Sequence, residues 1–143
     1  MFPLSTQIRF ACVQAQEAAH RLQGLPFPAS IGELIEEGRN ASESPGSLAD
    51  AQDRISETVA LLEALPPRAL DMEPDSPIPH EIPSGMIFDL TAEQYARDWT
   101  VAQFYFHVMT AYAILRSEKV ELGKADYIPH LIPHLRPAAE PEG

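Results

Sequence analysis

One cysteine, one tryptophan, seven glycines and ten basic residues set against 21 acidic ones are what this chain of 143 residues has least of. Each shortage excludes something. The lone Cys12 rules out an intrachain disulfide framework and suits a reducing, cytoplasmic setting. With so few Lys and Arg the net charge is −11 and no basic stripe forms. Phosphate backbones are repelled, so nucleic acid is not an expected partner. No apolar run approaches the ~20 residues a helix needs to cross a bilayer, so no membrane partner is expected either. The opening MFPLSTQIRF lacks the basic-then-apolar order of a secretory signal. A Ser-His-Asp order, a Gly-rich phosphate loop and a CxxC pair are missing too, which leaves nucleotide and disulfide chemistry without support.

What is present is organised around residues 91–117, TAEQYARDWTVAQFYFHVMTAYAILRS. Thr91 and Gln94 are spaced as a capping box, each side chain within reach of the other's amide. A helix of about seven turns then runs without Pro or Gly. Tyr95, Trp99, Ala102, Phe106, Met109 and Ala113 recur at steps of three and four, as do Val101, Phe104, Val108, Ala111 and Leu115. Two adjacent apolar stripes predict a helix wrapped on most of its girth. Between them runs a polar seam of Thr100, Gln103, His107 and Thr110.

The other segments are helical on either side of a proline-rich break. Residues 3–23 predict a first helix with Leu4, Ile8, Ala11, Ala15, Ala18 and Leu22 on its buried face, Pro3 in its first turn and Gly24 at its end. Residues 31–38 predict two turns behind a Ser30/Glu33 cap, and 39–46 a loop. Residues 47–65 predict a second long helix, with Leu48, Ala51, Ile55, Val59, Leu62 and Leu65 in helical spacing and Pro66-Pro67 ending it. Asp50, Asp53, Arg54 and Glu57 read as its solvated face. Residues 78–82 and 86–88 predict two short edge strands around Ser84-Gly85, since Pro79 and Pro83 cannot donate to a ladder. Residues 1–128 read as one helical domain and 129–143 as a proline-spaced tail. His130 and His134 stand four apart there, with Pro133 between them. Three long helices with stripes this wide lack neighbours, which predicts a homodimer completing the bundle.

The run FYFHVMTAYAILRSEKVELGKADY, residues 104–127, resembles the C-terminal signature of the domain-of-unknown-function family nineteen ninety-three. That signature has an aromatic triplet before His-Val (Phe104, Tyr105, Phe106, His107, Val108), then Thr110-Ala111-Tyr112 and Ile114-Leu115-Arg116. Val120, Gly123, Lys124, Asp126 and Tyr127 match its tail. Residues 2–12, FPLSTQIRFAC, resemble the opening of the family's second helix. The resemblance implies an all-α, DinB/YfiT-like helical bundle, with the short β-hairpin read from residues 78–88 falling before the last helix. It also implies that relatives carry a further helix before the FPL segment. Metal-binding relatives use three histidines, two as His-x-x-x-His on the last helix. The corresponding pair here is Gln103 and His107, and Gln is a poor ligand for Zn²⁺ or Ni²⁺. No metal or cofactor is therefore expected.

Three functions stand open. The first is a bundle binding a small organic ligand between helices, with metal-independent acid–base chemistry of an isomerase, cyclase or transferase type. His107 is its catalytic candidate, and Gln103, Thr110, Trp99, Phe106 and Tyr112 its ligand-binding candidates. The second is a non-catalytic structural or interaction protein whose seam satisfies core polar groups. The third is a divalent-metal-dependent DinB-like transferase. Whether the protein is an enzyme is left open by the sequence, as are the roles of His20 and His80.

Overall fold

The computed structural model describes residues 1–82 and 84–136; Pro83 and residues 137–143, the end of the expected tail, lie outside the described residues. Helix α1, Leu4–Arg21, follows Pro3 and is stopped by Gly24, which takes the left-handed φ of +68°. It is the hub of the molecule. Helices α2 (Ala29–Asn40), α3 (Leu48–Glu63) and α5 (Ala102–Ser117) all pack on α1, while α3 and α5 scarcely meet each other. The bundle is helical as expected, with the expected hairpin inserted before its last long helix.

Between α1 and α2 lies a cluster of Cys12, Val13, Ile31 and Leu34, with Ile35 packed against it. Each large aliphatic buried there contributes about 1.5–3 kcal/mol. α2 is longer than the two turns expected, because Pro28 starts it early and it runs on through Gly38 and Arg39. Gly38 lets α2 come close: Thr6 donates to its carbonyl at 2.7 Å, and a Cβ at Gly38 would stand 2.5 Å from Phe10 Cε1. An ion triad ties three helices together. Arg9 Nε and Arg54 Nε each lie 3.1 Å from Glu37 Oε2, and Arg54 also reaches Oε1. The hydrogen bonds from Arg54 hold the Glu37 carboxyl below the usual range. Arg54 and Glu57 are therefore partly occupied in pairing rather than simply solvated.

Helix α3 begins with a capping box, Ser47 with Asp50, and stops ahead of Pro66-Pro67. Its apolar stripe is not buried as expected: Ala51 and Thr58 are its buried residues, while Leu48, Ile55, Val59 and Leu62 are exposed. The stripe of α1 behaves alike. Ile8, Ala11 and Ala15 are only half-buried, because the most enclosed side of α1 is the Thr6, Arg9, Cys12, Val13, Gln16 and Ala19 side turned to α2 and α3.

Strands β1 (Pro77–Glu81) and β2 (Ile87–Thr91) pair antiparallel, with Ile78 opposite Leu90 and His80 opposite Phe88. Their turn uses Gly85 at φ +83°. Alternation along β1 sends Ile78 and His80 inward. Thr91 then caps α4 (Ala92–Gln94): Gln94 N–H donates to Thr91 Oγ1 at 3.2 Å, and Thr91 N–H to Gln94 Oε1 at 2.9 Å. The long helix is not uniform. Residues Tyr95–Val101 form a π-helical stretch between α4 and α5. One residue more per turn reorients the aromatic side chains, and both Tyr95 and Trp99 pack beside His80. Nor is this helix wrapped on most of its girth within one chain: Val101, Tyr105, Phe106 and Met109 are exposed, and His107 is the buried residue of α5. Beyond it come α6 (Lys124–Tyr127), capped by Asp126 on the Gly123 amide at 2.7 Å, and a 3₁₀ turn, Pro129–His134, on which His130 and His134 are exposed.

Candidate functional site

The expected site residues fall in three places. His107 faces α1, 9% exposed, with Nδ1 2.8 Å from Gln7 Oε1. Gln7 Nε2 donates to the Phe2 carbonyl at 3.1 Å, so its amide oxygen is the atom turned to the imidazole. The proton therefore sits on Nδ1, and Nε2 carries the lone pair. Burial holds the His107 pKa below its ordinary value, so the ring is neutral at pH 7. Phe10 and Phe106 flank it edge-on, their ring centroids 5.5 and 5.4 Å away. Thr110 is turned inward on its own helix, donating to the Phe106 carbonyl at 2.7 Å. Gln103 is half-buried one turn before His107, and Phe106 is 62% exposed. Tyr112 belongs to a second place, with its ring 6.4 Å from that of Tyr127.

Trp99 belongs to the third place, a recess of about 320 Å³ between α1, α2 and the hairpin. Phe10, Val13, Gln14 and Glu17 of α1, Ile35 and Arg39 of α2, and His80, Glu81 and Ile82 line it with Trp99; Phe2 closes one end. Phe10 is the side chain common to this recess and the His107 environment. Glu17 is 9% exposed, and burial pushes its carboxyl up to about 7, opposed in part by Arg21 one turn along α1. His80 is 4% exposed, its ring centroid 4.4 Å from that of Trp99 and 5.3 Å from that of Tyr95. Burial, then Arg21, lowers the His80 pKa. Tyr95 is fully enclosed and burial raises its phenol. Four buried polar atoms behind the recess have no partner among the described residues: Arg21 Nε, His80 Nδ1, Trp99 Nε1 and Thr100 Oγ1. Leaving a buried polar group without a partner costs about 1–3 kcal/mol.

Gln7, Glu17 and His80 carried no functional expectation from the sequence. Glu17 and Arg21 stand four apart on α1, which reads first as an ordinary helical ion pair. The period-two alternation of Ile78 and His80 was the one local sign that His80 turns inward. His20, whose Nδ1 lies 2.8 Å from the Gln16 carbonyl, sits 13 residues from Gln7 along α1, about 20 Å at 1.5 Å per residue.

A bundle hubbed on one helix, with a hairpin ahead of the last long helix and an inward histidine on that helix, is the class of DinB-like helical bundles. The crystal structure of a DinB family member protein from Shewanella denitrificans is 27% identical to this chain at a TM-score of 0.67, the match covering 100% of this chain and 69% of that one. Residues 1–128 match the family described as Domain of unknown function (DUF1993), and the chain belongs to that family. No curated protein matches it. The metal of DinB-like relatives does not fit the side chains here. The side chain hydrogen-bonded to His107 is the amide of Gln7, and among the described residues no three His, Cys, Asp or Glu converge.

Proposed function

We propose that this protein binds a small organic molecule in the recess between α1, α2 and the hairpin. The observation that carries this is the recess itself. Its volume falls at the small end of the range for ligand sites, about 300–1,000 Å³, and its walls combine apolar and aromatic surface with the polar groups of Gln14, Glu17, Arg39, His80 and Glu81. Trp99, an expected ligand-binding residue, forms one wall, and Phe10 connects the recess to His107. Because Trp99 is the one tryptophan of the chain, its fluorescence reports on this place alone. A thermal-shift screen of small organic molecules, followed by titration of Trp99 emission, tests the proposal. Ligands that stabilise the protein by mass action and shift that emission saturably support it; a broad library yielding none ends it.

A second reading has its own support. His107 is fixed by Gln7 in the tautomer whose Nε2 is basic, which is what a general base requires. Metal-independent acid–base chemistry at His107, with Gln103, Thr110 and Phe106 beside it, is the enzymatic form of the proposal. Repeating the ligand titrations on His107→Ala separates the two, since recess binding alone survives that change. The homodimer also remains our proposal. An apolar groove between α3 and α5, floored by Ile8, Ala11 and Ala15, is open to a second copy.

A further inference from the structure

We infer that the recess selects organic cations, with an ammonium group seated on the Glu17 carboxylate and its hydrocarbon body against Trp99 and Phe10. This rests on the recess being a ligand site and adds the chemical class of the ligand. Glu17 is nine-tenths buried yet lines the cavity wall, and once ionised its carboxylate only accepts hydrogen bonds. An ion so placed gains most from an opposite charge brought into the same low-dielectric space. Trp99, Phe10 and Phe2 line the recess, and an aromatic face attracts a cation through its quadrupole and repels an anion. Glu81 adds a second carboxylate at the hairpin side. The net charge of −11 draws cations to the whole surface.

The charge of Arg21 acts on Glu17, but no cation among the described residues forms an ion pair with its carboxylate. Arg39 is paired with Glu36 at 3.0 Å, and the Arg21 guanidinium lies 4.4 Å over the Phe27 ring. Around Glu17 stand Arg21 of α1, Arg39 of α2, His80 and Glu81 of the hairpin, and Tyr95 of the π-helical stretch. Burial raises the Tyr95 phenol and lowers the His80 imidazole, moving both further from neutral pH. Burial raises the Glu17 carboxyl to about 7, inside the range from pH 6 to 8.

The test is titration of Trp99 fluorescence with three probes of one shape: benzylammonium, benzyl alcohol and benzoate. Benzylammonium is expected to bind tightest, with affinity rising about tenfold from pH 6 to pH 8 as Glu17 ionises. Glu17→Gln should weaken it tenfold or more and remove the pH dependence. Calorimetry of the native protein at pH 7, in buffers of different ionisation enthalpy, should show proton release on binding, which does not depend on the variant folding. Benzoate or benzyl alcohol binding as tightly as benzylammonium overturns the cation selectivity but leaves the recess a ligand site. Unchanged benzylammonium binding in Glu17→Gln, or no proton release, also overturns it. No saturable response to any of the three overturns it, and a library screen that is equally silent removes the ligand site as well.

Discussion

His107 and Gln7, 100 residues apart in sequence, close the contact between the last long helix and the first through an Nδ1–Oε1 hydrogen bond of 2.8 Å. Both residues are buried, so removing one partner leaves the other unsatisfied away from water. Gln7→Leu, which keeps the bulk but not the acceptor, should destabilise the fold by about 1–3 kcal/mol. His107→Leu should cost a similar amount, and the double variant less than the sum of the two, since neither then strands a polar group. Urea denaturation of the four proteins measures this, and strict additivity would show that the two side chains do not depend on each other.

Glu17 makes stability depend on pH in a direction opposite to most carboxylates. Its folded pKa is raised from 4.5 to about 7. Between those values the unfolded chain has lost the proton and the native chain keeps it, so ν_U is smaller than ν_N and stability falls as pH rises. The contribution is fully present below about pH 4.5 and is gone above about pH 7. His80 and His107, both lowered by burial, act with the other sign: their contribution is present above the ordinary histidine pKa and lost as pH falls below it. Glu17→Gln removes only the first effect. At pH 8 it should stabilise the protein by roughly 3 kcal/mol, the shift converted at 1.36 kcal/mol per unit, and at pH 4 by almost nothing. Denaturation midpoints at the two pH values check this; equal gains at both would remove the assignment to Glu17.

The helices were legible because their signals are local. The Thr91 cap, Gly24, and the Pro66-Pro67 stop each work within one turn of chain. The hairpin was legible for the same reason, since Gly85 and the alternation of Ile78 and His80 are short-range. Which stripe faces which neighbour was not. Ile8, Ala11, Ile55 and Val59 have the spacing of core residues, but spacing states that a face is apolar and not what covers it. The recess was invisible for a related reason. Glu17, His80 and Trp99 come from three elements, and only the fold brings them together. The π-helical stretch has no sequence mark at all, since TAEQYARDWTV satisfies every rule of an ordinary helix.

Gly38 is the position where the backbone leaves least room. A Cβ there would stand 2.5 and 2.9 Å from two carbons of the Phe10 ring, so Gly38→Ala must push that ring aside. Ala gains about 0.5–1 kcal/mol over Gly in a helix, while overpacking costs about 1–3 kcal/mol. The net should be destabilisation of about 1–2 kcal/mol, smaller at the upper end of the helix gain. Phe10 also walls the recess and touches His107, so Trp99 emission should shift in the same variant. A stabilised Gly38→Ala protein with native emission would show that the ring yields freely.

The groove between α3 and α5 tests the second-copy proposal. Its lining is Ile8, Ala11, Cys12, Ala15, Ile55, Thr58, Val59, Leu62, Phe104 and Val108, and the surface it presents is apolar. Leu48 of α3 and Tyr105 and Met109 of α5 are further exposed apolar residues of these two helices. Contiguous apolar surface on this scale marks an interface when it stays uncovered in one chain. A stable pair needs about 800 Å² from each partner. Sedimentation equilibrium should find a dimer at micromolar protein, with a melting temperature that rises with concentration. Val59 is 46% exposed, so Val59→Lys costs the single chain little and places a charge in the middle of the seam. That variant should dissociate to monomers that stay helical by circular dichroism. A native protein that remains a compact monomer across the concentration range ends the proposal, whatever Val59→Lys does.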